Sequence, residues 1–435
     1  MTSTTQTRPE VIVVGGGLAG ISAAVRLADA GVRVEVFETR KRLGGRAGSF
    51  VDRRSGLEID NCQHVTMGCC AAYRELLDRL GMSGALAWHD TQYWVEPGGR
   101  TSEIKLGGLP APLHAAPSFV CASFLSRRDK LAIGRGLLAI ALSRRSELRG
   151  VVFADFLRET RQTESAVRRF WEPVIVSACN LSVDRVSAEP AVQVFQDGLM
   201  KSARAGLIGV PTRPLTRLYE AVPGIIGRAG GRVRTGASVA EVNETRVTLS
   251  DGETISADRV VLATPFERTA RLVAPAIAER DGRFGSLSML GHSPILGVHM
   301  VFDRPVLEQP HAVLLDSGVH WVFRKDEQGH AIHAVVSGAD AWMQLDERTI
   351  VDRVIGDMER AFPRFRGATT LSARAVKEKR ATFSATPAAQ HARPSVVGTG
   401  SRLLFAGDWT QTGWPATMEG AVLSGNAAAA AVLDI

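Results

Sequence analysis

Four consecutive apolar residues, Val11–Val14, run straight into a glycine cluster in VIVVGGGLAGISAAVRLADAGVRVEVFE, and there the period of the pattern changes. The apolar run predicts a short strand buried on both faces. From Leu18 the apolar and small residues predict a helix through Ala30, stopped by Gly31. Val32–Phe37 then predicts a second strand, closed by Glu38. Strand patterns return in mid-chain, in GRVRTGASVAEV and VTLSDGETISADRVVLATPF. They return once more in RLLFAGDWTQTGWPATMEGAVLSGNAAAAAVL, where Leu403–Ala406 predicts a strand, Gly407-Asp408 a turn, and Met418 onward a helix of small residues. Strand, crossover helix and parallel strand are the units of a doubly wound α/β sheet.

Chemistry enters at the first turn. Gly15, Gly17 and Gly20 form G-x-G-x-x-G, and Glu38 follows Gly15 by 23 positions. The first glycine permits the tight turn, the second lets the backbone approach a pyrophosphate, and the third lets helix and strand pack closely. The helix N-terminus offers free N–H groups and a positive dipole end to the phosphates. Glu38 is placed to accept from both ribose hydroxyls and disfavours a 2′-phosphate. Next comes TRKRLGGRAGS, where a second glycine pair leads to Arg46, with Arg40 and Arg42 just before it. That turn brings a guanidinium onto the same phosphates. A domain that binds only NAD has no need of it.

With these two elements in register the sequence resembles the flavoprotein group that includes amine oxidases and carotenoid (phytoene) desaturases. The resemblance implies FAD, with Glu38 on the adenosine ribose and Arg40 and Arg46 near the pyrophosphate. It also implies Val239 meeting adenine through its backbone, Ala263–Pro265 returning the chain to the flavin, Asp408 on the ribityl or pyrophosphate region, and the helix opening at Met418 facing the flavin. It spans essentially the whole chain. The expected fold is therefore a Rossmann-like FAD-binding domain interleaved with an α+β substrate domain. The cofactor part is expected to come from 1–84, 211–289 and 395–435, and the substrate part from 85–210 and 290–394.

Composition narrows the setting. The chain has 435 residues, more than one ordinary core, with 45% hydrophobic and 22% charged residues. Five cysteines without C-x-x-C spacing argue against a disulfide scaffold and suit a reducing compartment, hence the cytoplasm. The net charge is +7, with only seven lysines among 52 basic residues. No nucleic-acid module is visible, so the charge points to an anionic cofactor and a membrane surface. Prolines interrupt the uncharged stretch 106–126, and the apolar stretch at Val11 is better read as a strand than as a signal peptide. Residues 113–145 set apolar residues (Phe119, Phe124, Leu125, Leu137, Leu138, Ile140, Leu142) among Arg127, Arg128, Lys130, Arg135, Arg144 and Arg145. A helix of that kind either packs with a solvated basic face or lies in a membrane interface. The desaturase resemblance favours peripheral contact with the inner face of the membrane.

The segment EIDNCQHVTMGCC, residues 58–70, admits three readings: a metal site, a hydrogen-bonded polar turn, or a polar edge at the reacting centre. Cys62 and His64 lack an obvious third ligand, so no metal is expected. The resemblance places this strand end beside the isoalloxazine ring. Together with GDWTQTGWPATMEGAVLSG and KEKRATFSATPAAQ, the segment resembles the squalene-associated FAD-dependent desaturases of hopanoid synthesis, the hydroxysqualene dehydroxylases. Many members read Asp-Asn-Gly-Gln-His here, so Cys62 is a departure. The implied reaction is reductive removal of an allylic hydroxyl from hydroxysqualene, with a separate electron donor. His64 is then the expected acid, oriented and raised in pKa by Asp60, with Gln63 orienting the hydroxyl. Trp88, Trp94, Trp171 and Trp414 are candidates for stabilising an allylic cation. A phytoene-type desaturase is the first alternative. A flavin amine oxidase is the second, disfavoured because its usual lysine would fall at Gly297; a flavin-binding module without activity is the third.

Overall fold

The computed structural model describes residues 10–434. Its centre is a parallel sheet in the order Arg232–Thr235, Val34–Glu38, Val11–Val14, Arg259–Leu262, Leu404–Phe405. Val11–Val14 lies in the middle and is buried throughout, as its unbroken apolar run requires. The strand after the first helix begins at Val34 rather than Val32, because the Val32 N–H is spent on the Leu27 carbonyl that closes the helix. GRVRTGASVAEV is not one strand. Gly236 turns at φ +74°, so Arg232–Thr235 joins the parallel sheet while Val239–Val242 starts an antiparallel meander with Arg246–Leu249 and Thr254–Ser256.

The first helix, Leu18–Asp29, packs against the last, Met418–Leu433. Small residues make that approach possible: a Cβ at Gly425 would lie 2.2 Å from the Ala19 carbonyl oxygen. Gly15 (φ +111°) and Gly20 are demanded in the same way, since a Cβ at Gly20 would stand 1.9 Å from the Gly15 oxygen.

A second, seven-stranded sheet runs Thr370–Phe383, His292–Phe302, Ala331–Ser337, Trp321–Arg324, His311–Leu314, Thr91–Val95, Thr101–Lys105. Helix Glu347–Ala361 covers it with Ile350, Val354 and Met358. A helical block between 116 and 206 closes the other side of a shared core that includes Trp94, Phe170 and Trp171. The parallel sheet, its helices and this mixed second part give the α/β fold with α+β insertions that the sequence suggests. The expected outer segments 1–84 and 395–435 include residues 1–9 and 435, which lie outside the described residues.

Residues 113–145 do not form one helix. Ala116–Cys121 ends at Ala122, and Arg127–Leu142 starts afresh at Ser126, which forms a reciprocal capping box with Asp129. Phe124, Leu125 and Ile140 enter the core. The exposed apolar residues are instead Leu131 (77%), Leu138 (61%) and Leu142 (77%), with Leu113 and Val120 nearby. Among the described residues no helix is long and apolar enough to cross a membrane.

Candidate active site

A cavity of about 600 Å³ begins at the glycine turn and runs between the two sheets. Gly15, Gly17, Glu38, Arg40 and Val239 line one end, and Arg46, Asp408 and Met418 its middle. The helix at Leu18 has no side-chain cap, and a Cβ at Gly17 would meet nothing nearer than the Gly45 Cα at 3.9 Å. Its first-turn N–H groups therefore face an open cradle suited to a pyrophosphate. Glu38 is buried at its strand end, where its carboxylate accepts from the Gly16 N–H at 2.7 Å and the Arg40 N–H at 2.8 Å. Those bonds fix its orientation at the strand end, where a ribose would meet it.

The Arg46 guanidinium donates to the Asp408 carboxylate at 2.5 Å and to the Ala381 carbonyl at 2.9 Å. Burial works against its charge, but the attraction of Asp408 outweighs this and raises its pKa. Arg40 donates to the Gly45 carbonyl. Val239 presents its carbonyl to Arg268 at 2.8 Å, so its backbone is already partly engaged. At Met418 the last helix opens under a Thr417 cap, while Glu419 accepts from the N–H groups of Ala72 and Tyr73, at 2.9 and 2.8 Å. Arg393 is buried and donates to the carbonyls of Asp408, Thr410 and Trp414, bracing the GDWTQTGW loop. Neither Glu419 nor Arg393 stands out in the sequence, because their partners are distant in the chain.

The DNCQH segment divides. Cys62, Gln63 and His64 line the cavity; Asp60 and Asn61 do not. His64 is held by the Cys62 carbonyl, 3.0 Å from Nδ1, and not by Asp60. A carbonyl only accepts, so Nδ1 carries the proton and neutral His64 has its lone pair on Nε2. The pKa expectation is also corrected. Burial dominates and lowers the His64 pKa, although the Asp60 charge pulls the other way. Asp60 accepts from Ser49 Oγ at 2.7 Å and the Leu215 N–H at 3.2 Å, and meets Lys325 Nζ at 3.4 Å. The polar-turn reading thus describes Asp60. Lys325 also donates to Gln63 Oε1 at 3.3 Å, while Gln63 Nε2 donates to the His64 carbonyl. Lysine does reach this segment, from a strand end that sequence reasoning passes over. Among the described residues no group of three His, Cys, Asp or Glu is arranged to hold a metal ion.

The tryptophans sort differently from expectation. Trp94 and Trp414 line the cavity, joined by Trp321 and Trp409. Trp171 is fully buried with its indole N–H on Gln162, and Trp88 is part-exposed away from the cavity.

The chain matches the family described as flavin containing amine oxidoreductase over residues 18–433. It belongs to that family. It is 26% identical to a zeta-carotene desaturase of Synechocystis sp., over 97% of this chain and 97% of that protein. It is 27% identical to a hydroxysqualene dehydroxylase of Zymomonas mobilis, over 96% and 97%. Among solved structures, putrescine oxidase bound to putrescine superposes with a TM-score of 0.72 at 18% identity, over 99% and 100% of the two chains. The family member described here is an FAD-dependent oxidoreductase, and the cradle from Gly17 to Arg46 fits its cofactor.

Glu38→Ala and Arg46→Ala should each purify with FAD occupancy below half that of the native protein, measured as flavin absorbance per polypeptide. Arg46→Ala should be the worse, since it strands the buried Asp408 carboxylate. Full occupancy in both variants would refute this placement of the cofactor.

Proposed function

We propose that the protein is a hydroxysqualene dehydroxylase, acting in triterpene synthesis at the inner face of the cytoplasmic membrane. The observation that carries this reading is the position of His64 and Gln63, the polar pair where the cofactor cradle opens into an apolar cavity. Beyond them the lining includes Trp94, Val174, Ala178, Val194 and Leu199, a wall suited to a long isoprenoid. The hydroxysqualene dehydroxylase of Zymomonas mobilis supports the substrate class.

Bound FAD, when reduced, supplies the hydride. The chain's residues do the rest. Loss of hydroxide requires a proton at the leaving oxygen, and His64 Nε2 is the group that gives it. With that proton the C–O bond breaks and water leaves, and a hydride of the kind reduced FAD would supply would complete the conversion of hydroxysqualene to squalene. Gln63 is held at both ends and keeps one amide N–H for the hydroxyl oxygen. Asp60 acts one step behind, fixing the segment through Ser49, Leu215 and Lys325. The faces of Trp94, Trp321 and Trp414 stabilise the allylic cation. In this reading 85–210 and 290–394 build the substrate side.

The zeta-carotene desaturase of Synechocystis sp. supports a second reading, in which hydride passes from a polyene to the flavin. One anaerobic experiment separates them. Hydroxysqualene added to the reduced protein should restore the oxidised flavin spectrum and yield squalene. A polyene that bleaches the oxidised protein, with hydroxysqualene inert, would select the desaturase.

Membrane contact is part of the same reading. Leu131, Leu138 and Leu142 are exposed on one helix with Arg127 and Arg128. Arg145 is not available, being bonded to Asp197 and Gln196. Co-sedimentation with anionic vesicles should fall severalfold between 0.05 and 0.5 M salt, about a threefold contraction of the screening length. Arg127/Arg128/Arg144→Glu should weaken it at low salt, and Leu131/Leu138→Ser at any salt. Binding indifferent to salt and to both sets of changes would exclude this surface.

A further inference from the structure

Met67, Cys69 and Cys70 line the large cavity, whereas Gly68 between them lines a second one of about 430 Å³. A single thickness of chain therefore parts the two. Gly68 has to be glycine, since a Cβ there would stand 1.7 Å from the Arg204 carbonyl oxygen. The Gly68 N–H donates to the Leu207 carbonyl at 2.9 Å and the Cys69 N–H to the Ala205 carbonyl at 3.1 Å, which clamps the 204–207 turn against this wall. None of the residues placed on FAD or on the reacting hydroxyl lines the second cavity, and the dehydroxylation reading gives it no part.

The charged groups of this cavity are unpaired. Helix Ala71–Arg79 presents Arg74, Leu77 and Asp78 to it. On the neighbouring face of the same helix Arg79 pairs with both Glu75 and Asp29. Arg74 and Asp78 stand four residues apart, the spacing of a helical ion pair, yet they make none. Among the described residues neither Arg74 nor Arg204 has an ion pair or a side-chain hydrogen bond, and the Arg74 Nε is buried without an acceptor. Arg74 reaches Glu419 only through its charge. A buried N–H without an acceptor is uncommon in a folded protein. Two guanidinium groups against one carboxylate leave the cavity positive.

Its flat wall is Trp88. Leu86 and Trp88 alternate onto one face of their strand, and both line the cavity. Trp88 is the ladder partner of Gly209, where a Cβ would fall 2.9 Å from the indole, so glycine lets the ring lie down over the neighbouring strand. Trp88 nonetheless stays 38% exposed. An indole open to water beside two unpaired guanidinium groups combines a stacking platform with a phosphate fork. We propose that this cavity binds a nucleotide. The base stacks on Trp88, the phosphates take Arg74 and Arg204, and Asp78 accepts from a sugar hydroxyl. An inorganic anion would use one part of the cavity and an uncharged aromatic only the other. The proposal stands apart from the dehydroxylation reading and does not depend on it.

The test uses oxidised holoenzyme saturated with FAD, with ADP, inorganic pyrophosphate and adenosine as probes in equilibrium dialysis at low salt. ADP should bind once per chain with FAD fully retained, about tenfold tighter than either pyrophosphate or adenosine. Arg74→Gln and Arg204→Gln should each weaken ADP about tenfold while leaving adenosine unchanged. Trp88→Ala should weaken ADP about as much while leaving pyrophosphate unchanged. Arg204 is exposed, so its variant decides the matter should either of the others fail to fold. ADP bound no tighter than pyrophosphate would reduce the cavity to a general anion site and overturn the nucleotide. ADP that fails to bind, that binds only by displacing FAD, or that binds equally well in the folded variants overturns the site.

Discussion

His64→Ala should cut the rate at which hydroxysqualene restores the oxidised flavin spectrum by about 10²–10⁴, the usual worth of a general acid, with FAD content unchanged. His64→Gln should not rescue it, since an amide can bond the hydroxyl but gives up no proton at useful pH. The geometry adds a pH signature. Burial lowers the His64 pKa, so the acting form is the one the site disfavours. The single-turnover rate should therefore rise as pH falls, and level off only below the ordinary histidine value of about 6.5. A wild-type rate in His64→Ala would move the proton donor elsewhere and leave DNCQH a structural turn.

Acid should also unfold this protein through its histidines. Burial depresses His299, His311 and His320 to about 4. Their unfolded value is about 6.5. As pH falls below that value the unfolded chain takes up protons that the folded chain refuses. The stability they contribute is thus complete above about pH 6.5 and is lost as pH falls toward 4. At pH 5 each contributes a loss of about 2 kcal/mol, on the order of 6 kcal/mol for the three, against a typical total of 5–15. The urea midpoint of the holoenzyme should fall steeply between pH 7.5 and pH 5. His311→Phe should flatten that fall, because the His311 ring is fully buried with a single bond to the Thr91 carbonyl. Equal midpoints at the two pH values would contradict this account.

The cofactor cradle was legible because its physics is local. A glycine that must clear a neighbouring carbonyl, a strand that ends in an acid and a helix without a cap all declare themselves within about thirty residues. Long-range partners do not. Nothing in the neighbourhood of Arg46 names Asp408, and nothing near Asp60 names Ser49, Leu215 or Lys325. Asp60 and His64 seemed a pair because they are four residues apart, yet the turn between them sends the carboxylate inward and the imidazole to the cavity. The rings of His299 and His333 stack 3.7 Å apart across two neighbouring strands, and that pairing is equally hidden, since it exists only through their register. In the basic segment the Ser126-x-x-Asp129 capping box does mark a helix start, and reading 113–145 as one helix passes over it and puts core residues on an interfacial face.

The Arg46–Asp408 bond spans 362 residues of chain. A ribosome adding roughly 5–20 residues per second takes about 20–70 s to travel between them. For that interval the glycine turn and Glu38 are already synthesised, but Arg46 lacks its hydrogen-bonded partner Asp408 and the sheet lacks its last strand, Leu404–Phe405. The growing chain must carry a half-built dinucleotide cradle, electropositive and open, that gains its grip only when the final strand docks. On the proposed placement of the cofactor, capture becomes a report on completion, and a chain stopped short of Asp408 should keep the fingerprint and lose the clasp.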